Sequence, residues 1–278
     1  MQAGLGLFGF GILDMTSPLL YIFILAGQSN MAGRGDAASL PSEFSRPSEN
    51  IRYHWECSFG ADRGPPFSAG GAYVSEGWVQ LEACQKHPST PGKHFGPEIA
   101  FGQRLQKLFP NEAIGVIKHG RGGSRLATDW IGCAGGGRQF YAAMMTQVSE
   151  ALKALEEEGT RYRIGGFVWM QGEGDTTHQE YAETYEQNLR TLLHKLRRDL
   201  NAPQLPVVIG RIGDGYLNSK MIYPEIVRMA QRDVAERDPW TTLVDTDDLP
   251  LADNVHYDAA GLLELGKRFA DALHGYKR

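Results

Sequence analysis

The sequence has few cysteines and no long apolar segment. Its three cysteines, Cys57, Cys84 and Cys133, are few and odd in number, so a disulfide framework is not expected and a reducing compartment is favoured. The apolar run at residues 19–26 is too short to span a bilayer, which needs about 20 apolar residues. We therefore expect neither a membrane partner nor a disulfide scaffold.

Positive charge is also sparse and scattered. The chain has 28 basic and 33 acidic residues, a formal net charge of -5, and no block of five or more basic residues, which argues against a nucleic-acid partner. The first basic residue is Arg34, so the charged start of a secretory signal is missing. We expect a cytoplasmic rather than a secreted protein, with residues 1–18 as an N-terminal extension and Met15 as an alternative start.

What the sequence does contain is an alternation of strand-like and helix-like segments. Apolar, strand-forming runs predict strands at 19–26, 113–118, 164–170, 205–210 and 241–245. Helical spacing predicts helices near 96–108, 138–158, 219–237 and 258–274, and a further helix around Tyr185 to Leu200 behind a T-x-x-E capping box at 177–180. This order predicts one α/β domain over residues 19–278, with a mostly parallel five-stranded sheet covered by helices on both faces.

Residues 32–93 do not fit that alternation. They are rich in Gly, Pro and Ser, with only short strand candidates such as residues 51–55. A long irregular segment in a compact domain is usually functional or disordered, so we interpret it as an excursion over the active-site edge. Trp55, Tyr73 and Trp78 either contact substrate there or pack the segment down.

A serine and a histidine at opposite ends of the chain are the candidates for nucleophilic catalysis. Ser29 follows the first strand in G-Q-S-N-M, and His256 ends D-N-V-H at 253–256. A serine hydroxyl needs a neighbouring base, and the base needs a group that fixes its tautomer. Asp253 and His256 supply both in one loop. The alternative is a Ser29–Asn30 helix cap and two ordinary loop residues.

Two further strands end in residues suited to stabilising an oxyanion. The strand at 113–118 leads into H-G-R-G-G-S-R-L, and the strand at 164–170 leads into Q-G-E-G-D. Backbone amides of Gly122 or Gly123 and the side-chain amide of Gln171 are suitable donors; alternatively, the glycines form a turn and Gln171 satisfies backbone groups. Glu173 and Asp175 are interpreted as ordering their loop.

Three other patterns are set aside. G-L-G-L-F-G at 4–9 matches a dinucleotide-binding motif, but no strand precedes it. Cys57, Cys84, His87 and His94 lack paired zinc-ligand spacing, and the acidic run at 245–248 is better explained as a solvated loop than as a calcium site. No metal and no other cofactor is expected.

Together, five ordered blocks resemble the SGNH hydrolase superfamily, and within it the carbohydrate esterase and sialate O-acetylesterase group. The blocks are G-Q-S-N-M at 27–31, G-P-E at 96–98, G-G-S at 122–124, W-M-Q-G-E-G-D at 169–175 and D-N-V-H at 253–256. The resemblance implies a three-layer, flavodoxin-like α/β/α sandwich. It also implies a serine esterase that needs no cofactor and removes a small acyl group, most often acetyl, from a carbohydrate.

The resemblance assigns roles to individual residues. It makes Ser29 the nucleophile, His256 the base and Asp253 its orienting acid, with the oxyanion held by the amides of Ser29 and Gly122 and by the Gln171 side chain. His119 and Arg121 depart from the small or apolar residues that the family usually has before G-G-[ST]. The alternatives are a lipid-type esterase or thioesterase on the same fold, and a sugar-binding module without catalysis.

Overall fold

A computed structural model of the chain describes residues 19–58, 73–87, 90–131, 139–213 and 221–276. The predicted N-terminal extension at 1–18, with its glycine motif at 4–9, lies outside the described residues, as does Cys133. Cys57 and Cys84 are free thiols. In the described segments, no helix is both long and apolar enough to cross a membrane.

The strands form one large sheet and one small sheet. In chain order they are β1 (Leu20–Gly27), β2 (Gly35–Asp36), β3 (Ser48–Ser58), β4 (Tyr73–Val74), β5 (Val79–Leu81), β6 (Gln85–His87), β7 (Thr90–Phe95), β8 (Ala113–Arg121), β9 (Tyr162–Met170), β10 (Val207–Gly210) and β11 (Thr241–Val244). The large sheet has the order β11-β10-β9-β1-β8-β3-β4, with β5 also paired to β3. β2, β7 and β6 form the small antiparallel sheet.

Helices cover both faces of the large sheet. They are α1 (Ser29–Ala32), α2 (Glu98–Leu108), α3 (Phe140–Glu157), α4 (Gln179–Glu183), α5 (Tyr185–Asp199), α6 (Pro224–Arg237) and α7 (Ala259–His274). α2 packs against α7, and α5 packs against α6. The predicted α/β/α architecture with a mostly parallel sheet is thereby confirmed.

The prediction of five strands is wrong, because the large sheet has eight. β3 pairs in parallel with β8 from Ile51 opposite Ile114 to Ser58 opposite Arg121. Only alternate residues of β3 are buried along most of its length, so its polar positions hide it from a search for continuous apolar runs. The segment at 32–93 therefore contributes a full sheet strand as well as loops.

The capping box predicted at 177–180 is also wrong. The Thr177 hydroxyl donates to the Gly174 carbonyl (2.8 Å), and the N-cap of the short helix α4 is His178, whose side chain accepts no hydrogen bond from the helix N–H groups. α4 precedes α5 in the chain. The periodicity itself is confirmed, because Tyr185, Leu189, Leu192, Leu193 and Leu196 are all buried on one face of α5.

Candidate active site

The turn that carries Ser29 is fixed by close packing of backbones. β1 is a central strand between β8 and β9, and its end carries the turn at the C-terminal edge of the parallel sheet. A Cβ on Gly27 would lie 1.9 Å from the Met170 carbonyl oxygen, so only glycine fits there. The Gln28 N–H donates to the same carbonyl (2.9 Å), and Ser29 then begins α1.

The structure brings the three residues of the predicted triad together. His256 Nε2 lies 3.0 Å from Ser29 Oγ, across 227 positions of sequence. His256 Nδ1 lies 2.7 Å from Asp253 Oδ2. Because a carboxylate only accepts, Nδ1 carries the proton and Nε2 is left to accept from the serine hydroxyl.

Asp253 also organises the loop that carries His256. Its Oδ1 accepts from the backbone N–H groups of Val255 (2.8 Å) and His256 (2.7 Å). Burial alone would raise the pKa of Asp253, but the hydrogen bonds from His256 and these two N–H groups lower it below its ordinary value. The carboxylate is therefore charged at neutral pH.

The pKa of His256 is lowered as well. Burial of the ring is the main cause, and the positive charge of Arg34 adds to it, while the hydrogen bond to Asp253 opposes it. A histidine with a lowered pKa is neutral at pH 7, which is the form that can take a proton.

In the glycine turn after β8, the resemblance implies the Gly122 amide as an oxyanion donor, but the amide without an acceptor among the described residues is that of Gly123. The Gly122 N–H donates to the Ser58 carbonyl (2.8 Å) and so extends the β3–β8 pairing. Gly123 adopts a left-handed conformation (φ +64°) with open space beside it. Within the described segments, the N–H of Gly123 has no hydrogen-bond acceptor, and the N–H of Ser29 lies at the start of a helix, where no intrahelical partner exists.

The side-chain amide of Gln171, the third predicted oxyanion donor, is engaged elsewhere in this structure. Its side chain is fully buried, and its Nε2 donates to the Ser124 carbonyl (3.0 Å) and to Asp175 Oδ2 (2.6 Å). Both amide hydrogens are thus engaged, which leaves none for an oxyanion. Burial raises the pKa of Asp175 to about 6, against the lowering effect of its hydrogen bonds.

His119 and Arg121, the two departures from the family pattern, lie behind the glycine turn. Both are fully buried. Arg121 Nε donates to His119 Nε2 (2.9 Å), and His119 Nδ1 lies 2.7 Å from Gln147 Oε1. Arg121 also forms an ion pair with Glu56. Burial, with the Arg121 charge, holds the pKa of His119 well below its ordinary value, so the ring is a neutral member of a polar network that supports the turn.

A buried ion pair reaches the other end of the serine turn. Lys118 Nζ lies 2.5 Å from Glu98 Oε2, and both side chains are fully buried. Lys118 Nζ also donates to the Ala32 carbonyl (2.8 Å), and the Gly96 N–H donates to the Glu98 carboxylate. The glutamate of the G-P-E block thus acts as a structural anchor, a role that its sequence position alone does not reveal.

The aromatic residues of the 32–93 segment contribute to packing. Trp55 is a buried core residue. Trp78 donates from Nε1 to the Ala151 carbonyl (2.9 Å) and meets the His54 ring edge-on. Tyr73 pairs with Cys57 between β4 and β3 and packs on the core. Of the two alternatives for these three residues, contact with substrate or packing of the segment, the structure shows packing.

The acidic run at 245–248 is held by arginines. Asp247 pairs with Arg228 and Arg211, each at 2.7 Å, and Asp248 pairs with Arg268 at 2.6 Å. In the described part of the chain, no three His, Cys, Asp or Glu side chains come together as a group that could hold a metal ion.

The parallel sheet flanked by helices and the Ser29–His256–Asp253 arrangement are consistent with a hydrolase of the SGNH type, and comparison with known proteins shows the family. Residues 20–275 match the model of the family described as carbohydrate esterase, sialic acid-specific acetylesterase. The chain therefore belongs to this family. Its members are carboxylic ester hydrolases, and the chain is an acetyl-removing carbohydrate esterase.

The chain is also similar to individual proteins. A probable carbohydrate esterase of Arabidopsis thaliana is 29% identical over 258 residues, which cover 90% of this chain and 89% of the relative. A crystal structure of an Arabidopsis protein has a TM-score of 0.68 at 26% identity, covering 93% of this chain and 99% of that one. A carbohydrate acetylesterase of Xanthomonas citri has a TM-score of 0.64 at 17% identity, covering 91% of this chain and 55% of that one, and shares the fold.

Proposed function

We propose that the protein hydrolyses carbohydrate acetyl esters by a serine mechanism with an acyl-enzyme intermediate. The observation that carries this proposal is the continuous hydrogen-bonded series Ser29 Oγ, His256 and Asp253, with separations of 3.0 and 2.7 Å. Such a series lets the imidazole remove the serine proton while the carboxylate stabilises the imidazolium that forms.

The reaction has two steps. Ser29 Oγ attacks the acetyl carbonyl, its proton passes to His256 Nε2, and the sugar oxygen leaves with that proton. The products of this step are acetyl-Ser29 and the free hydroxyl of the sugar. His256 then takes a proton from water, whose oxygen attacks the acetyl carbonyl; the bond to Ser29 Oγ breaks, His256 returns the proton to that oxygen, and acetate and free Ser29 are formed.

Backbone amides supply the oxyanion contacts in this proposal. We assign them to the N–H groups of Ser29 and Gly123, which follow the adjacent parallel strands β1 and β8 and have no acceptor among the described residues. They replace the Gly122 amide, which is used in the sheet, and the Gln171 side chain, which is used in the core. Preformed donors of this kind contribute most where negative charge develops.

The test is a comparison of Ser29→Ala, His256→Ala and Asp253→Asn with the wild type on p-nitrophenyl acetate and on acetylated sugars. We expect the first two variants to lose activity by at least about 10³-fold and Asp253→Asn to lose it severely, since tautomer control fails. The melting temperature should stay within a few degrees, because Ser29→Ala removes a single oxygen atom and His256 is only partly buried. Near-normal turnover by folded Ser29→Ala would eliminate the serine mechanism.

A further inference from the structure

We infer that Asn30 is a positioning residue that holds His256 against Ser29. The inference rests on the proposed serine mechanism and concerns what maintains its geometry. Ser29 and His256 come from elements far apart in sequence, so the 3.0 Å contact between their reacting atoms requires something that joins the serine turn to the histidine loop.

Asn30 joins the two segments on both sides of His256. Its Nδ2 donates to the carbonyl of Val255 (3.1 Å), and its Oδ1 accepts from the N–H of Tyr257 (3.1 Å). Asn30 is 1% exposed and immediately follows Ser29. One side chain thus links the residue next to the nucleophile with the residues immediately before and after the base.

Glu173 fixes the orientation of that amide. Its Oε1 accepts the second Nδ2 hydrogen of Asn30 (2.8 Å), and its side chain is fully buried. With both hydrogens engaged, only Oδ1 can face the Tyr257 N–H. This contact also gives a function to the glutamate of the W-x-Q-G-E-x-D block, which orders the site without contacting the reacting atoms.

Asp253 and Asn30 have separate tasks. Asp253 orders the loop internally, through the His256 ring and the N–H groups of Val255 and His256. The loop is closed further by Ala252 N–H on the His256 carbonyl (2.7 Å). None of these bonds connects the loop to the turn that carries Ser29, whereas the bonds of Asn30 do. The loss of Asn30 should therefore leave the loop formed but displaced from the nucleophile.

The expected consequence is a loss of rate with little loss of binding. A displacement of about 1 Å in a reacting pair can cost about 10²-fold in rate. A displaced His256 ring also becomes more solvated, and since burial is the main cause of its lowered pKa, that pKa should return toward its ordinary value. A residue that merely stabilised the fold would change neither kcat nor the pH profile of the folded enzyme.

The experiment compares Asn30→Ala, Asn30→Asp and Glu173→Gln with wild type on p-nitrophenyl acetate. Asn188→Ala is the matched control, because that asparagine is a half-buried residue of α5 whose amide donates to Thr184 in the same helical region (3.3 Å). We expect kcat of both Asn30 variants to fall about 10²-fold with KM nearly unchanged and the acidic limb of kcat shifted to higher pH. Glu173→Gln still offers an oxygen to Asn30 and should lose less. Asn188→Ala should match wild type.

A fluorophosphonate probe separates this inference from the serine mechanism itself. Ser29 Oγ attacks phosphorus, fluoride leaves, and the serine proton passes to His256. Failure of wild type to be labelled at Ser29 would refute the mechanism, whatever the Asn30 variants do. Labelled wild type together with folded Asn30 variants of unchanged rate and pH profile would refute the inference alone. If neither Asn30 variant folds, Glu173→Ala, which removes the acceptor that orients the Asn30 amide, is tested by the same two readouts, and an unchanged rate and pH profile in the folded variant would refute the inference.

Discussion

At the scale of single residues, the burial of His256 and the charges around it set the pH range of the enzyme. The pKa of His256 is lowered by burial and by Arg34, against the effect of Asp253. Arg34 is exposed at the edge of the site. The neutral imidazole is the reactive form, so a lowered pKa extends activity toward acid pH.

We therefore expect kcat/KM to rise with pH through a value below 6.5 and to remain flat up to pH 8. Arg34→Gln removes a cation that disfavours the imidazolium, so the acidic limb should move to higher pH. The separation between the acidic limbs of wild type and Arg34→Gln should become smaller at high salt, because salt screens exposed charges. Arg46→Gln, at another exposed arginine, is the matched control and should leave the limb in place. An unmoved limb in Arg34→Gln would contradict this account.

At the scale of elements, buried polar groups connect the segments that converge on the site. The Lys118–Glu98 pair links β8 to α2 and reaches the end of α1 through the Ala32 carbonyl. Each charge of this buried pair is stabilised by the other, because removal of one side chain leaves the other as an uncompensated charge in the core.

Lys118→Met should therefore destabilise the fold by about 3–5 kcal/mol. Adding Glu98→Gln removes the stranded charge and keeps an acceptor for the Gly96 N–H, so the double variant should be more stable than Lys118→Met alone. Arg104→Met breaks an exposed pair with Asp271 and should cost at most about 1 kcal/mol. Urea denaturation gives the free energy of unfolding of Lys118→Met, of the double variant and of Arg104→Met. A double variant less stable than Lys118→Met would contradict the coupling.

At the scale of the whole molecule, the fold places the nucleophile in the middle of the sheet edge and nearly encloses it. β1 lies between β8 and β9, and Ser29 is 5% exposed while its neighbours Gln28 and Asn30 are buried. Such confinement favours a short acyl group over a long one.

We expect kcat/KM to be highest for acetyl esters and to decrease through butyryl to octanoyl esters. Each methylene that the site excludes should cost about 1–3 kcal/mol of transition-state binding. A series of p-nitrophenyl esters measures this dependence, and acetylated xylan and acetylated sialic acids then test the sugar. Faster hydrolysis of the octanoate than of the acetate would favour a lipid-type esterase instead.

Local patterns sufficed for the main elements and for the three reacting side chains. Buried apolar runs predicted β1, β8, β9, β10 and β11 to within a few residues, because strands covered on both faces have continuous apolar sequences. Ser29, Asp253 and His256 lie in short motifs at the ends of such segments, so the sequence by itself identified them as the candidates that the structure brings together.

Only the tertiary structure decided which polar groups remain available for chemistry. The Gly122 N–H is occupied because β3, a half-polar strand, pairs with β8 and accepts it at the Ser58 carbonyl. The Gln171 side chain is occupied because Asp175 and the Ser124 carbonyl accept its two amide hydrogens. The Asn30 side chain bonds to the backbone of Val255 and Tyr257, on either side of His256. A hydrogen-bond donor serves whichever acceptor the fold brings within about 3 Å, and acceptors distant in sequence leave no trace in a local pattern.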